Sequence, residues 1–247
     1  LLIKVEGIVI RTVPYGEANV VLTLLTQDRG KLAVMANGAK RGKSKLRAAS
    51  QLFSQGIFLL FAGKGMPSLN QAEVLHFFHL QENIRQTAYA SYLCELVTRL
   101  IPDHEPNPAL YDLLLTMLQY LEEGKDPDII GRIFEMKVLN SIGLQPELTS
   151  CIHCRSTAPP FLFSIKEGGL LCQQCIAHDP YAIGISEATQ KLLRLFQVMD
   201  SHRVGAIAVK QETQKQMAQL MSRFIEEHTA VQCKSRAFIE QLDRNGL

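Results

Sequence analysis

The chain has 247 residues, 47% of them hydrophobic and 20% charged, with no tryptophan and a net charge of +2. That length holds one large domain or two to three small ones with enough core to fold without disulfides, and the composition excludes a disordered, collagen-like or disulfide-stapled chain. The opening Leu1-Leu2-Ile3-Lys4-Val5-Glu6 lacks the features of a signal peptide, and the densest apolar run, Ile57 to Ala62, is strand-sized, so a cytoplasmic protein away from membranes is expected.

From residue 1 to 80, short β-rich runs predict strands over Val5–Thr12, Asn19–Thr26, Lys31–Asn37, Leu52–Phe61 and Ser68–His76. Breakers separate them: Pro14-Tyr15-Gly16, Asp28-Arg29-Gly30, the stretch 38–42 and Gly63-Lys64-Gly65. Five short strands in so few residues suit an OB-type barrel, with a small SH3-like barrel as the alternative. After His79 the period becomes helical. Ile84, Ala88, Leu93, Leu96, Val97 and Leu100 predict a helix stopped by Pro102, a second runs from Leu110 to Gly124, and a third follows Asp126-Pro127 and closes at Gly143. Helical periodicity resumes at 186–199, 212–227 and 235–243. Each of these helices has an apolar stripe that needs cover, so those before and after residues 149–178 are expected to pack together. The expected organisation is α+β and multidomain: an N-terminal OB-fold β-barrel (1–80), then an α-helical domain (81–247) into which a ribbon (149–178) is inserted.

Inside that insertion, Cys151-x-x-Cys154 and Cys172-x-x-Cys175 are separated by seventeen residues, with Gly168-Gly169 as the turn of an intervening hairpin. Two thiolate pairs on tight turns match a tetrahedral zinc ribbon with one zinc per chain. A redox pair needs only one C-x-x-C in a βαβ setting, and disulfides need an oxidising compartment, of which the chain shows no sign. Four cysteines leave no position open for a reacting water, so the metal is expected to be structural. His153 and His178 lie beside the ligands and read as surface histidines. Cys94 and Cys233 read as free thiols.

The net charge hides an asymmetry. Residues 1–80 carry ten Lys and Arg against four acids, net +6, which leaves −4 for the rest. Within this region Lys40, Arg41, Lys43, Lys45 and Arg47 fall in eight residues without an acid, on a connection expected to be solvated and mobile unless a polyanion orders it. With Arg11, Arg29 and Lys31 on the same face, they form a candidate DNA-binding set that would hold phosphates. Gly38 to Ser44 ends like a P-loop, but only three residues separate its glycines where four are required, which excludes that nucleotide cradle. Aromatic platforms are few: Phe53, Phe58 and Phe61 lie in core-like runs, leaving Tyr15 as the exposed candidate. No paired carboxylates stand near histidines and no nucleophile has an evident base, so neither an enzyme nor a small-molecule substrate is expected.

Taken in order, Glu6-Gly7-Ile8-Val9-Ile10, Tyr15-Gly16-Glu17, Gly30-Lys31, Gly38-Ala39 with the basic stretch, Arg132-Ile133-Phe134-Glu135, Ile142-Gly143-Leu144 and the two C-x-x-C pairs resemble the RecO family of bacterial recombination mediators over essentially the whole chain. The resemblance implies an OB domain and a helical domain, binding of single- and double-stranded DNA, strand annealing, and work with RecR to load RecA onto DNA coated by the single-strand-binding protein SSB, in the RecF pathway of DNA repair. It also implies a cytoplasmic, nucleoid-associated protein, and docking of the acidic, apolar SSB tail on the helical domain, where Arg132 matches a basic position of that kind. Arg132 also stands at helical spacing from Glu135 and so has a second reading as a surface arginine paired with that acid. The competing function is a zinc-ribbon interaction module of transcription or translation that binds RNA.

Overall fold

The computed structural model describes residues 1–80 and 83–246; Gln81 and Leu247, the first and last residues of the expected helical domain, lie outside them. Five strands, β1 (Leu2–Tyr15), β2 (Asn19–Thr26), β3 (Gly30–Ala36), β4 (Ser54–Phe61) and β5 (Ser68–Phe77), close into a barrel in the order β1-β2-β3-β5-β4. This is the OB arrangement, sealed by a parallel contact of β3 with β5 at Met35 and Ser68. A bulge between Val9 and Arg11 bends the long β1, so that its first half pairs with β4 and its second half with β2. Alternate residues point inward, and Val5, Val9, Leu22, Leu24, Val34, Phe58 and Leu60 form the barrel core.

The connection between β3 and β4, residues 37–53, is folded, contrary to the expected mobile loop. Ala39 and Ala49 are buried and Leu46 packs on the barrel core. Successive turns are locked by Arg41 N–H to Gly38 O (3.1 Å), Ser44 N–H to Arg41 O (3.0 Å) and Ser50 N–H to Leu46 O (3.0 Å). Three apolar residues among the cations fasten the segment as a plug, and its charges are left on the solvent side.

Among the described residues six α-helices follow: α1 (Ile84–Leu100), α2 (Pro108–Glu122), α3 (Pro127–Ser141), α4 (Glu187–Val198), α5 (Gln211–Thr229) and α6 (Lys234–Asn245). Asn83, Asn107, Asp126 and Ser186 cap the first four through their side-chain oxygens, and Pro108 and Pro127 occupy the first helical positions where a missing N–H costs nothing. Packing divides the chain into two compact units, Leu1–Gly124 with Cys233–Leu247, and Lys125–Gln232. The helices expected to form one domain therefore divide between the two.

In the first unit, α1 covers β1 and α6 lies on α1. No side chain of its own caps α6; the Glu95 carboxylate of α1 does so, accepting from Lys234 N–H (3.1 Å), Ser235 N–H (2.9 Å) and Ser235 Oγ (2.6 Å). Tyr111 Oη of α2 donates to Glu6 of β1 at 3.0 Å. Gly30 has a positive φ of 66°, and a Cβ there would lie 2.3 Å from the carbonyl oxygen of Glu105, so only glycine fits where residues 103–105 cross the start of β3.

In the second unit, α3 packs against α4 and α5. The ribbon consists of β6 (Phe161–Ser164), β7 (Gly169–Cys172), a 3-10 turn (Gln173–His178) and β8 (Ile183–Gly184), in the sheet order β7-β6-β8. It is fastened to α5 by Phe163 against Phe224 (6.2 Å between ring centroids) and by His228 Nε2, 2.7 Å from Ile165 O.

Candidate nucleic-acid interface and metal centre

The plug gathers Lys40, Arg41, Lys43, Lys45 and Arg47 on one element, all five exposed. Among the described residues none of them has an ion-pair partner. Lys40 N–H donates to Ala18 O (2.9 Å) and Gly38 N–H to Asn19 Oδ1 (2.8 Å), so the plug begins against the β1–β2 turn, where Tyr15 is 59% exposed. Arg11 is exposed on the adjoining wall at the β1 bulge, in register with Thr23. Like charges held this close, without acids between them, produce a strong positive potential that attracts a polyanion.

Two members of the expected set lie elsewhere. Arg29 sits on the β2–β3 turn, at the far end of β2 from the plug, with Asp28 3.7 Å away. Lys31 is corrected outright. It is 4% exposed, its Nζ donates to Thr98 O at 2.7 Å and pairs with Asp103 at 3.1 Å, so it joins β3 to the last turn of α1 and the segment after it and presents no charge to a ligand. Arg132 is corrected in the same way. It is 1% exposed and its Nη1 lies 2.6 Å from Glu135 Oε2, an ion pair inside the second unit, so it is not a surface anchor for an acidic tail. Helical spacing announces the pairing with Glu135 but as a surface pair, and the burial of both side chains overturns that placement.

Sequence reasoning missed Lys4, Ile57 and Leu59. Lys4 is exposed on β1, and Leu59, its registered partner on β4, is half-buried on the outer face of the barrel. The signal was present: Ile57 to Ala62 is apolar at successive positions, whereas a strand with one solvated face alternates. Phe61, read as core, is 53% exposed on that same outer face.

The four cysteines converge. Their sulfurs all lie within 4.8 Å of one another, and Cys154 and Cys172 are 3.5 Å apart. In a tetrahedral thiolate site with zinc–sulfur bonds of about 2.3 Å, neighbouring sulfurs are about 3.8 Å apart, so the set fits one zinc ion. The first pair sits on a tight knuckle: Arg155 N–H returns to Cys151 O (2.9 Å), Cys151 N–H reaches Ser156 O (2.8 Å), and Arg155 takes φ +61°. The second pair spans the end of β7 and the 3-10 turn. Burial disfavours the Cys151 thiolate, but the N–H groups of Cys154, Cys172 and His153 outweigh it and bring its pKa down to about 6. Burial and the neighbouring sulfurs push Cys175 up to about 12, a conflict that a divalent cation relieves. His153 and His178 stack beside the cluster with ring centroids 3.7 Å apart, and neither belongs to the four-ligand set.

A five-stranded OB barrel with a cationic plug, together with helices that carry a four-cysteine ribbon, defines a mixed α+β protein with an exposed cluster of cations and a set of four cysteines that could hold a metal ion. Residues 1–78 match the family described as Recombination protein O N terminal, and residues 81–237 the one described as Recombination protein O C terminal. The chain is 43% identical over 244 residues to the DNA repair protein RecO of Halalkalibacterium halodurans and to that of Bacillus subtilis, covering 98% of this chain and 96% of each relative. It is 41% identical to the DNA repair protein RecO of Bacillus cereus, covering 98% of both. The chain belongs to the RecO family of DNA repair proteins.

Proposed function

We propose that the chain is a non-enzymatic recombination mediator of the bacterial cytoplasm and nucleoid, which binds single- and double-stranded DNA, anneals complementary strands and, with RecR, helps load RecA onto SSB-coated DNA. The observation that supports this reading is the folded plug with five exposed, unpaired cations. Phosphates placed against it are neutralised without being read, so binding is weakly selective for sequence and two complementary strands approach with less repulsion. The four-cysteine ribbon holds one structural zinc, which supplies folding energy to a small hairpin with little core of its own. With Arg132 buried, the SSB tail is assigned instead to a pocket of about 350 Å³ in the second unit, lined by Ile129, Ile130, Val204 and Ile207, with Asp126 and Lys125, whose Nζ donates to Val204 O at 2.9 Å, on its walls. The apolar lining suits the apolar residues of such a tail.

An annealing assay with SSB-coated complementary oligonucleotides tests the reading. The wild-type chain accelerates annealing, and neutralising Lys40, Arg41, Lys43, Lys45 and Arg47 together abolishes the acceleration; an equally fast variant contradicts it. Ile207→Glu abolishes capture of an SSB tail peptide in fluorescence polarisation, and unchanged capture removes the pocket from the assignment.

A further inference from the structure

The outer face of the barrel carries a second feature beside the plug. A groove of about 540 Å³ runs over β1, β4 and β5, within the range of about 300–1,000 Å³ typical of ligand clefts. Its floor is Ile57 and Leu59, with Leu46 of the plug contributing apolar surface. Lys4, Leu59 and Gln71 stand in one registered row across the three strands, and Ile57 and Glu73 form a further pair. Lys45, one of the five plug cations, lines the same groove, which is therefore continuous with the cationic surface. Among the described residues Lys4, Lys45 and Glu73 have no ion-pair partner.

We propose that this groove is a slot for unpaired nucleotide bases, through which the protein holds single strands differently from duplex; the proposal rests on the DNA-binding reading above. Three features fit an unpaired nucleotide. The apolar floor accepts the face of a base, which in a duplex is covered by its stacked neighbours. Gln71 offers both a donor and an acceptor and Glu73 an acceptor, groups that meet the hydrogen-bonding edges of bases. Lys4 and Lys45 attract phosphates, while Glu73 repels them and accepts a base N–H, so the wall charges orient the base inward and the backbone toward the plug. The face is unusual for an OB barrel, whose oligonucleotides cross strands two and three; here the binding surface lies on the other side of β1.

The test uses the full chain and short labelled oligonucleotides, single-stranded and duplex. Leu59→Asn, a change without charge at a half-buried outward position, lowers single-strand affinity about ten-fold and leaves duplex affinity within about two-fold, the scale of the apolar contact that a leucine side chain supplies. Since the chain has no tryptophan, Leu59→Trp provides a sole reporter whose emission is quenched by single strands and not by duplex. Unchanged emission at saturating single strand, or a Leu59→Asn variant that loses both affinities equally or neither, overturns the slot while the plug remains the phosphate contact. A wild-type chain that binds neither form of DNA overturns the slot and the DNA-binding reading together.

Discussion

Lys31 Nζ donates to the carbonyl oxygen of Thr98 at 2.7 Å, from a side chain that is 5% exposed. A cation from the most basic part of the sequence thus belongs to the join between barrel and helix. Lys31→Ala should cost about 1.5–3 kcal/mol of stability, the range for a buried hydrogen bond to a charged group. Denaturant unfolding measures the loss, and the salt dependence of DNA binding should stay unchanged; a shallower salt slope would return Lys31 to the phosphate contacts.

Glu95 is the second joint. Burial raises the pKa of its carboxyl, but donors from Ser235 and Lys234 and the Arg99 side chain outweigh this and hold it below the ordinary 4.5. A depressed folded-state pKa gives stability that is present above the unfolded value and is lost as pH falls below about 4.5 through the folded value. Glu95→Ala should cost about 0.5–2 kcal/mol at neutral pH, as for a lost helix cap, and flatten the acid limb of stability against pH. An acid limb with its wild-type slope would contradict the capping role.

Arg132 and Glu135 form a pair whose side chains are 2% and 0% exposed. Arg132→Ala removes the cation paired with the buried Glu135 carboxylate, so it should destabilise by about 3–5 kcal/mol. The double change Arg132→Met with Glu135→Leu should recover most of that loss. Thermal unfolding of both variants decides, and a double variant as unstable as the single one would show that the pair is not the source of the cost.

Much of this architecture was legible in the sequence. The five strands agree with the expected ones to within a few residues because breakers such as Asp28-Arg29-Gly30 punctuate runs of period two. Asp126-Pro127 announces a helix start in the sequence, whereas the capping by Asn83 and Asn107 shows only in the structure. The two C-x-x-C pairs fixed the cluster, because spacing alone brings two knuckles to one point. What stayed hidden depends on contacts distant along the chain. Charge reads the same at Lys31 and Lys40, yet Thr98 and Asp103 bury one while the barrel end leaves the other in solvent. Ala39, Leu46 and Ala49 looked like spacers among cations, and only the closed barrel shows that they anchor the plug. Residues 233–247 join the first unit because Glu95 caps α6, a contact across about 140 positions that no local period announces.

The ribbon should depend on its metal. Metal analysis should return about one zinc per chain, and Cys151→Ser should lower that content and expose residues 149–178 to protease before the barrel loosens, because burial leaves a serine hydroxyl a poor substitute for the thiolate. Full zinc content in that variant would place the metal elsewhere.

The salt dependence of single-strand affinity tests most directly whether the plug cations hold DNA phosphates. Each neutralised phosphate contributes a slope of about −0.7 to log affinity against log salt, so five contacts predict a slope of roughly −3.5 for the wild-type chain. Neutralising Lys40, Arg41, Lys43, Lys45 and Arg47 together should leave a slope shallower than about −1. A wild-type slope near zero, or a variant that keeps the wild-type slope, would contradict the account.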